Sequence, residues 1–206
     1  MKTLNNYIVE KLNINKSKLK NSTECPLFPK TKQELSYMIA SEINKNGRKC
    51  SLNHIDVSQI EDMANLFDDT KFNGDISEWD VSNVTNMFQM FRNSLFNGDI
   101  SEWDVSKVKI MYGMFSYSEF NQDINNWDVS NVINMSCMFT DSQFNQPLDK
   151  WNVSNVQAMD EIFYNSEFNQ DISNWKINSS CDTDKMFAGC SIEDKYKPYQ
   201  NGNKID

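Results

Sequence analysis

The chain has one histidine, His54, among 206 residues. It has no nucleophile motif, no glycine-rich phosphate loop and no metal-ligand spacing, so it offers no convergent acid, base or nucleophile. These absences predict a protein that is not an enzyme, with no catalytic, cofactor-binding or metal-binding residues and no cofactor. Its five cysteines, Cys25, Cys50, Cys137, Cys181 and Cys190, are odd in number and form no CxxC pair. Reduced thiols are the simplest reading of that pattern, and zinc is disfavoured. No apolar run approaches the roughly 20 residues that span a bilayer, which predicts no membrane span. The start, MKTLNNYIVEKLNINKSK, lacks a continuous apolar core and is interrupted by Glu10 and Lys11. It does not read as a secretory signal, and this predicts a cytoplasmic or phage-associated protein. Basic residues are scarce where they would matter for nucleic acid. Residues 72–175 hold 4 Lys/Arg against 15 Asp/Glu, a stretch that would repel a phosphate backbone.

What the chain has is repetition. Phe72 opens FNGDISEWDVSNVTNMFQMFRNSL, and the phrase restarts at Phe96, Phe120, Phe144 and Phe168, always after 24 residues. Trp79, Trp103, Trp127, Trp151 and Trp175 keep the same step, as do Phe91, Phe115, Phe139, Phe163 and Phe187. Mean hydropathy is low, at −0.65, yet aromatics make up 12% of the chain and are periodic, which argues against disorder. A fixed period of 20–50 residues without insertions predicts a solenoid.

Within one period the apolar spacing changes. Trp79 and Val81 alternate with polar residues, as in a short strand with one buried face. Ser82 then offers a helix cap, and Val84, Met87, Met90 and Phe91 follow at helical spacing. The expected fold is therefore an α/β repeat solenoid, leucine-rich-repeat-like, with a short strand and a short helix per 24-residue coil. The methionines Met87, Met111, Met135 and Met159 read as core filling. The asparagines Asn73, Asn97, Asn121, Asn145 and Asn169 are expected to bond backbone groups of neighbouring coils. Two broken acidic ladders, Asp75-Asp99-Asp123-Asp171 and Asp80-Asp104-Asp128, read as local turn acceptors, with calcium binding the sharper alternative.

Residues 1–30 read as an N-terminal helix and a linker. Leu4, Tyr7, Ile8 and Leu12 form one helical face, a candidate docking helix, ahead of a polar, Lys-rich stretch with Pro26 and Pro29. Residues 31–47 predict a capping helix: Thr31 and Glu34 form a capping box, Leu35, Met38, Ile39 and Ile43 one stripe, and Gly47 the stop. The solenoid is expected over 48–191, with a degenerate first coil at 48–71, regular coils at 72–167 and a divergent last coil at 168–191. Residues 192–206 read as a polar tail beyond a short cap.

The phrase FNGDISEWDVSNVTNMFQMF and its variants FNQDINNWDVSNVINMSCMF and FNQPLDKWNVSNVQAMDEIF resemble the BspA-like, DUF285 type of leucine-rich-repeat-like protein, over roughly residues 50–190. The resemblance implies a right-handed repeat solenoid, a role in adhesion or protein binding, no enzymatic residues, and a cell-surface location. The N-terminal segment resembles the starts of some phage-encoded proteins.

The leading expectation is thus a non-enzymatic protein-protein interaction module, adhesin-like or a scaffold, presenting an acidic solenoid surface to a protein partner. The candidate partner-binding residues are the variable position before each tryptophan (Glu78, Glu102, Asn126, Lys150 and Asn174) and the helix-exposed column Gln89, Gly113, Cys137 and Glu161. The alternative is a structural or packaged component of a phage or cell-surface assembly, attached through its N-terminal helix. A solenoid with poorly covered ends would also allow a homodimer through those ends.

Overall fold

A computed structural model of the chain describes residues 27–206. Helix α1 (Lys32–Asn46) begins where Thr31 Oγ1 accepts the Glu34 N–H at 3.2 Å. The Glu34 carboxylate reaches back to the N–H of Lys30 at 2.8 Å, so the reciprocal half of the capping box closes one residue early. The helix stops at Gly47, whose φ of 87° lies in the left-handed region and whose N–H bonds the Ile43 carbonyl. Space around Gly47 is open, so backbone conformation, not crowding, selects glycine there. Leu35, Met38 and Ile39 are buried in the same apolar core as Leu52, Ile55 and Met63. Lys32 pairs with Asp62 at 3.1 Å, and Glu42 stands 3.7 Å from His54. The helix is thus fixed across the first period. Residues just ahead of it are also held there: Leu27 forms a parallel bridge with Ile55, and Pro29 is buried. Leu27 and Pro29 are therefore held against the body, with Phe28 between them exposed, and are not part of a free linker.

Beyond α1, residues 24 apart are neighbours. Ser51 bridges Asp75, and a run of parallel bridges joins Asp62, Asn86, Ile110, Asn134, Ala158 and Asp182 in succession. Met87, Gln89, Phe91 and Asn93 donate to the carbonyls of Ile110, Tyr112, Met114 and Ser116 at 2.8–2.9 Å. The N–H groups between them turn back instead: Met90 and Arg92 bond Met87 and Gln89, three residues earlier, at 3.2 Å.

The strand and the helix expected in each period are both replaced by turns, and residues 48–191 contain neither an α-helix nor an extended strand. The helix fails because two residues per period sit at positive φ: Gln89 and Asn93 at 50°, Gly113 at 58° and Tyr117 at 56°, Cys137 at 57° and Asp141 at 52°. A left-handed residue every fourth position breaks an α-helix and sends alternate N–H groups to the next period. Ser82 caps nothing; its N–H donates to Asp80 Oδ1 at 3.1 Å. The strand fails for a related reason. Asp75 accepts the N–H of Ser77 and Asp80 that of Ser82. Trp79 N–H bonds Ile76 O and Val84 N–H bonds Val81 O. Side chain-to-backbone bonding of this kind competes with a ladder. Trp79 and Val81 are nonetheless buried, while Glu78 and Asp80 are exposed.

Each regular period buries about eight apolar side chains; in the first these are Phe72, Ile76, Trp79, Val81, Val84, Met87, Met90 and Phe91. At roughly 1.5–3 kcal/mol each, they are the main stabilising term. Phe67, Phe91, Phe115, Phe139, Phe163 and Phe187 form one ring column with centroid steps of 5.4–5.9 Å. Phe72, Phe96, Phe120, Phe144 and Phe168 form a second, with steps of 6.1–6.3 Å. The asparagines do bond backbone of the neighbouring period: Asn73 Oδ1 accepts the N–H of Asn97, and the pattern runs on through Asn121, Asn145 and Asn169 to the N–H of Glu193.

The segment expected as a polar tail folds back on the last period. A 3₁₀ turn (Asp194–Tyr196) leads into a hairpin of β1 (Tyr199–Gln200) and β2 (Asn203–Lys204), which are antiparallel. Asn201 and Gly202, at φ of 52° and 80°, make its two-residue turn, as an Asn-Gly pair favours. Tyr199 bridges Lys176, Gln200 Nε2 bonds the carbonyls of Asn178 and Cys181 at 2.8 Å, and Ile192 and Ile205 are buried. Sequence pattern missed this because it lies outside the 24-residue period.

Candidate functional site

The tryptophan turns and the positive-φ turns each present their own exposed columns. On the first side, Glu78, Glu102, Asn126, Lys150 and Asn174 are all exposed. Lys150 Nζ donates to Asn126 Oδ1 at 2.9 Å, and Asn174 Nδ2 to the Asp149 carbonyl at 2.7 Å. The carboxylates of Glu78 and Glu102 have no hydrogen bond and no cation within salt-bridge distance among the described residues. Beside them run the two aspartate columns. Asp75 and Asp99 are held below the ordinary carboxylate value by the backbone N–H and then the hydroxyl of Ser77 and Ser101. Asp104 and Asp171 are lowered by the hydroxyl and then the N–H of Ser106 and Ser173. These groups stay ionised at neutral pH, and they are spent on local turns, as the sequence pattern suggests. Among the described residues, no group of three or more His, Cys, Asp or Glu side chains is arranged to hold a metal ion.

Where Pro147 interrupts the first aspartate column, a shallow cleft of about 420 Å³ opens, lined by Pro147, Asp149, Gln170, Asp171, Ser173 and Asn174. It brings one predicted residue, Asn174, beside two carboxylates.

The second predicted column is Gln89, Gly113, Cys137 and Glu161, at one of the positive-φ positions. It is less open than an exposed helix face would be. Gln89, Cys137 and Glu161 are half-buried, and Gly113 is buried, with a Cβ there falling 3.1 Å from Gln89 Cγ. Cys137 Sγ lies 3.7 Å from the Tyr112 hydroxyl and 3.9 Å from Glu161 Oε2. Burial, with Asp160 and Glu161 nearby, pushes its thiol up, while Tyr112 partly offsets this. The thiol is protonated at neutral pH and a poor nucleophile. Cys181 goes further, to about 11, through burial and then Asp182.

Beside this column lie residues that sequence reasoning did not single out. Phe88 stacks on Tyr112 at 5.1 Å, and Leu95, Tyr117, Ile133 and Tyr164 are exposed. A signal for them existed. Comparing equivalent positions across periods, Phe88 gives way to Tyr112, Ser136 and Asp160, and Asn93 to Tyr117, Asp141 and Asn165. Variation at fixed backbone positions marks side chains that the core does not constrain. The candidate docking residues Leu4, Tyr7, Ile8 and Leu12 lie outside the described residues. Both ends of the repeated region are covered, by α1 and by the β1–β2 hairpin, so an end-to-end homodimer would have to form around those caps.

A chain of 24-residue repeats in register, with buried aromatic columns and variable outer ones, is the class of protein these features define. Within it, the chain belongs to the DUF285 family, described as Mycoplasma protein of unknown function: the family model matches residues 33–143 and again 116–197. No curated protein and no solved structure matches it. No helix among the described residues is long and apolar enough to cross a membrane.

Proposed function

We propose that the protein is a non-enzymatic protein-protein interaction module: a leucine-rich-repeat-like solenoid of BspA-like type that presents an acidic surface to a cationic protein partner. The observation that carries this reading is the side beside the tryptophans. Through the three periods from Phe72, the aspartate columns and the pair Glu78 and Glu102 line up, with Lys107, which donates to Asn83 Oδ1 and helps lower Asp104, as a base beside them. Like charges so aligned are held in place by the core, not by one another, and are free to meet an opposite charge. A partner bound there would associate quickly at low salt and weaken as salt rises.

The test is capture of a binding protein from source lysate by full-length protein, by the Glu78→Lys, Glu102→Lys variant and by a version lacking residues 1–20. Binding lost in the charge-reversed variant, with unchanged circular dichroism, and retained on truncation supports the reading. A partner unaffected by the charge reversals but lost on truncation supports attachment through the N-terminal segment, as expected of a packaged or structural component.

A further inference from the structure

We infer that the protein associates head to tail with a second copy of itself, through backbone rows at the two ends of the positive-φ turns that have no partner among the described residues. This rests on reading the repeats as one in-register stack. Inside the stack, the alternate N–H groups of one period donate to the carbonyls of the next: Met159, Glu161, Phe163 and Asn165 donate to Asp182, Asp184, Met186 and Ala188. In the last period the equivalent donors are Thr183, Lys185, Phe187 and Gly189. Among the described residues, none of these four N–H groups has an acceptor. In the first period the equivalent acceptors are the carbonyls of Asp62, Ala64, Leu66 and Asp68, and among the described residues none of them has a donor. The two rows are therefore complementary in chemistry, and they share one register. Continuing the 24-residue repeat would set Thr183 against Asp62, Lys185 against Ala64, Phe187 against Leu66 and Gly189 against Asp68 of the next copy.

Among the described residues, the caps touch side chains of both rows but take none of their backbone groups. Helix α1 reaches His54 and Asp62, the hairpin bonds residues 176–183 and shares a cleft with Thr183 and Lys185, and Lys197 stands over the Phe187 ring. Exposed Asn65, Asp69, Lys185 and Gly189 mark the two rows. Charge at the two ends is mixed: Asp62 and Asp68 pair with Lys32 and Arg92, while Lys185 lies near Glu161 and Asp184, and Lys195 and Lys197 pair with Glu193 and Asp194. A like charge introduced at exposed Asp69 or Lys185 would therefore act against the contact without either residue being its main source of affinity. An unpaired backbone row is a template for another chain, and ends that match each other, not themselves, give a heterologous, head-to-tail contact. Because the caps block continuation of the core columns, the contact is small and weak.

Amide hydrogen exchange followed residue by residue on the full chain, at about 10 µM and about 1 mM, spans the range in which so weak a contact forms. The expected result is strong protection of Met87, Gln89 and Phe91 at both concentrations. Thr183, Lys185, Phe187 and Gly189 should exchange at least about threefold more slowly at the higher concentration. Lys185→Glu alone and Asp69→Lys alone should each abolish that slowing, and mixing the two should restore it, since each retains one competent end. Internal protection with terminal exchange independent of concentration overturns the inference and leaves the stack standing. Loss of internal protection overturns both. A mixture that fails to restore the slowing overturns the head-to-tail geometry.

Discussion

Trp103 Nε1 donates to the carbonyl of Ile76, 27 residues earlier, at 3.2 Å. The same carbonyl accepts the backbone N–H of Trp79, so one buried oxygen uses both lone pairs, one within its period and one to the next. Trp127, Trp151 and Trp175 repeat the bond to Ile100, Ile124 and Leu148 at 2.9–3.0 Å. The indole thus ties adjacent periods with a polar bond inside an apolar column, as a buried tryptophan N–H requires. Trp103→Phe keeps a ring and removes the donor. It should lower unfolding free energy by about 1–2 kcal/mol, measured by urea titration. Trp151→Phe, two periods away, should add to it nearly in full. A Trp103→Phe protein as stable as the parent would mean that the bond contributes nothing.

Gly74 and Gly98 occupy equivalent positions, yet their surroundings differ. A Cβ at Gly74 would fall 2.0 Å from the Cys50 carbonyl oxygen, whereas one at Gly98 meets the Phe96 ring edge at 2.9 Å and the Gly74 carbonyl at 3.2 Å. Backbone cannot yield as a ring can. Gly74→Ala should therefore cost about 1–3 kcal/mol, in the range of an overpacked site, and Gly98→Ala distinctly less. Thermal unfolding of both variants decides the order; equal midpoints would show that the start of the repeats relaxes as easily as its interior.

Asp75, Asp99 and Asp104 all sit below the ordinary carboxylate value because serine groups two residues on bond the ionised form. The unfolded chain then binds protons more tightly than the folded one as acid is added. Their contribution is complete above the unfolded value, about 4, and is lost as pH falls through the lower folded values. The melting midpoint should stay level from neutrality to about pH 5 and fall below about pH 4. Asn152 and Asn178 already serve as uncharged acceptors at such turns. Asp99→Asn should therefore fold and show a shallower acid slope. An unchanged slope would assign the acid loss to other groups.

The period and the identity of the buried columns were legible in the spacing of Phe, Trp, Val and Met, because a side chain that meets its own equivalent every 24 residues leaves a repeated letter. The asparagine bonds were legible for the same reason. The conformation within a period was not. Val84, Met87, Met90 and Phe91 have the spacing of a helix face, but turns of four residues with one left-handed position in each give the same spacing. Most residues at positive φ in the regular periods, such as Gln89, Tyr117, Cys137 and Glu161, are not the glycines that would announce it, and Gly113 is a lone exception among them. Of the candidate surface, the column from Glu78 to Asn174 is exposed as its variability suggests, while Gly113 is buried in the other. Phe88, Tyr112 and Tyr117 were hidden by the helix reading, which gave no reason to compare their positions across periods.

Ile205 stands one residue from the C-terminus yet is only 8% exposed, and its N–H bonds the Pro198 carbonyl. With Ile192 it covers an end of the core where Phe187 and Met186 have no further period above them. The hairpin that carries it is too short to be stable alone, so it must be held by these contacts and by Gln200. Ile205→Asn should cost about 1.5–3 kcal/mol, the value of one buried aliphatic side chain, and should release β1 and β2 from the last period. Removing residues 192–206 should cost more, expose Phe187, and raise binding of a hydrophobic dye. The check is the thermal midpoint and dye fluorescence of both proteins beside the parent. If truncation left both unchanged, the segment would be an appendage, and the last period would have to cover its own end.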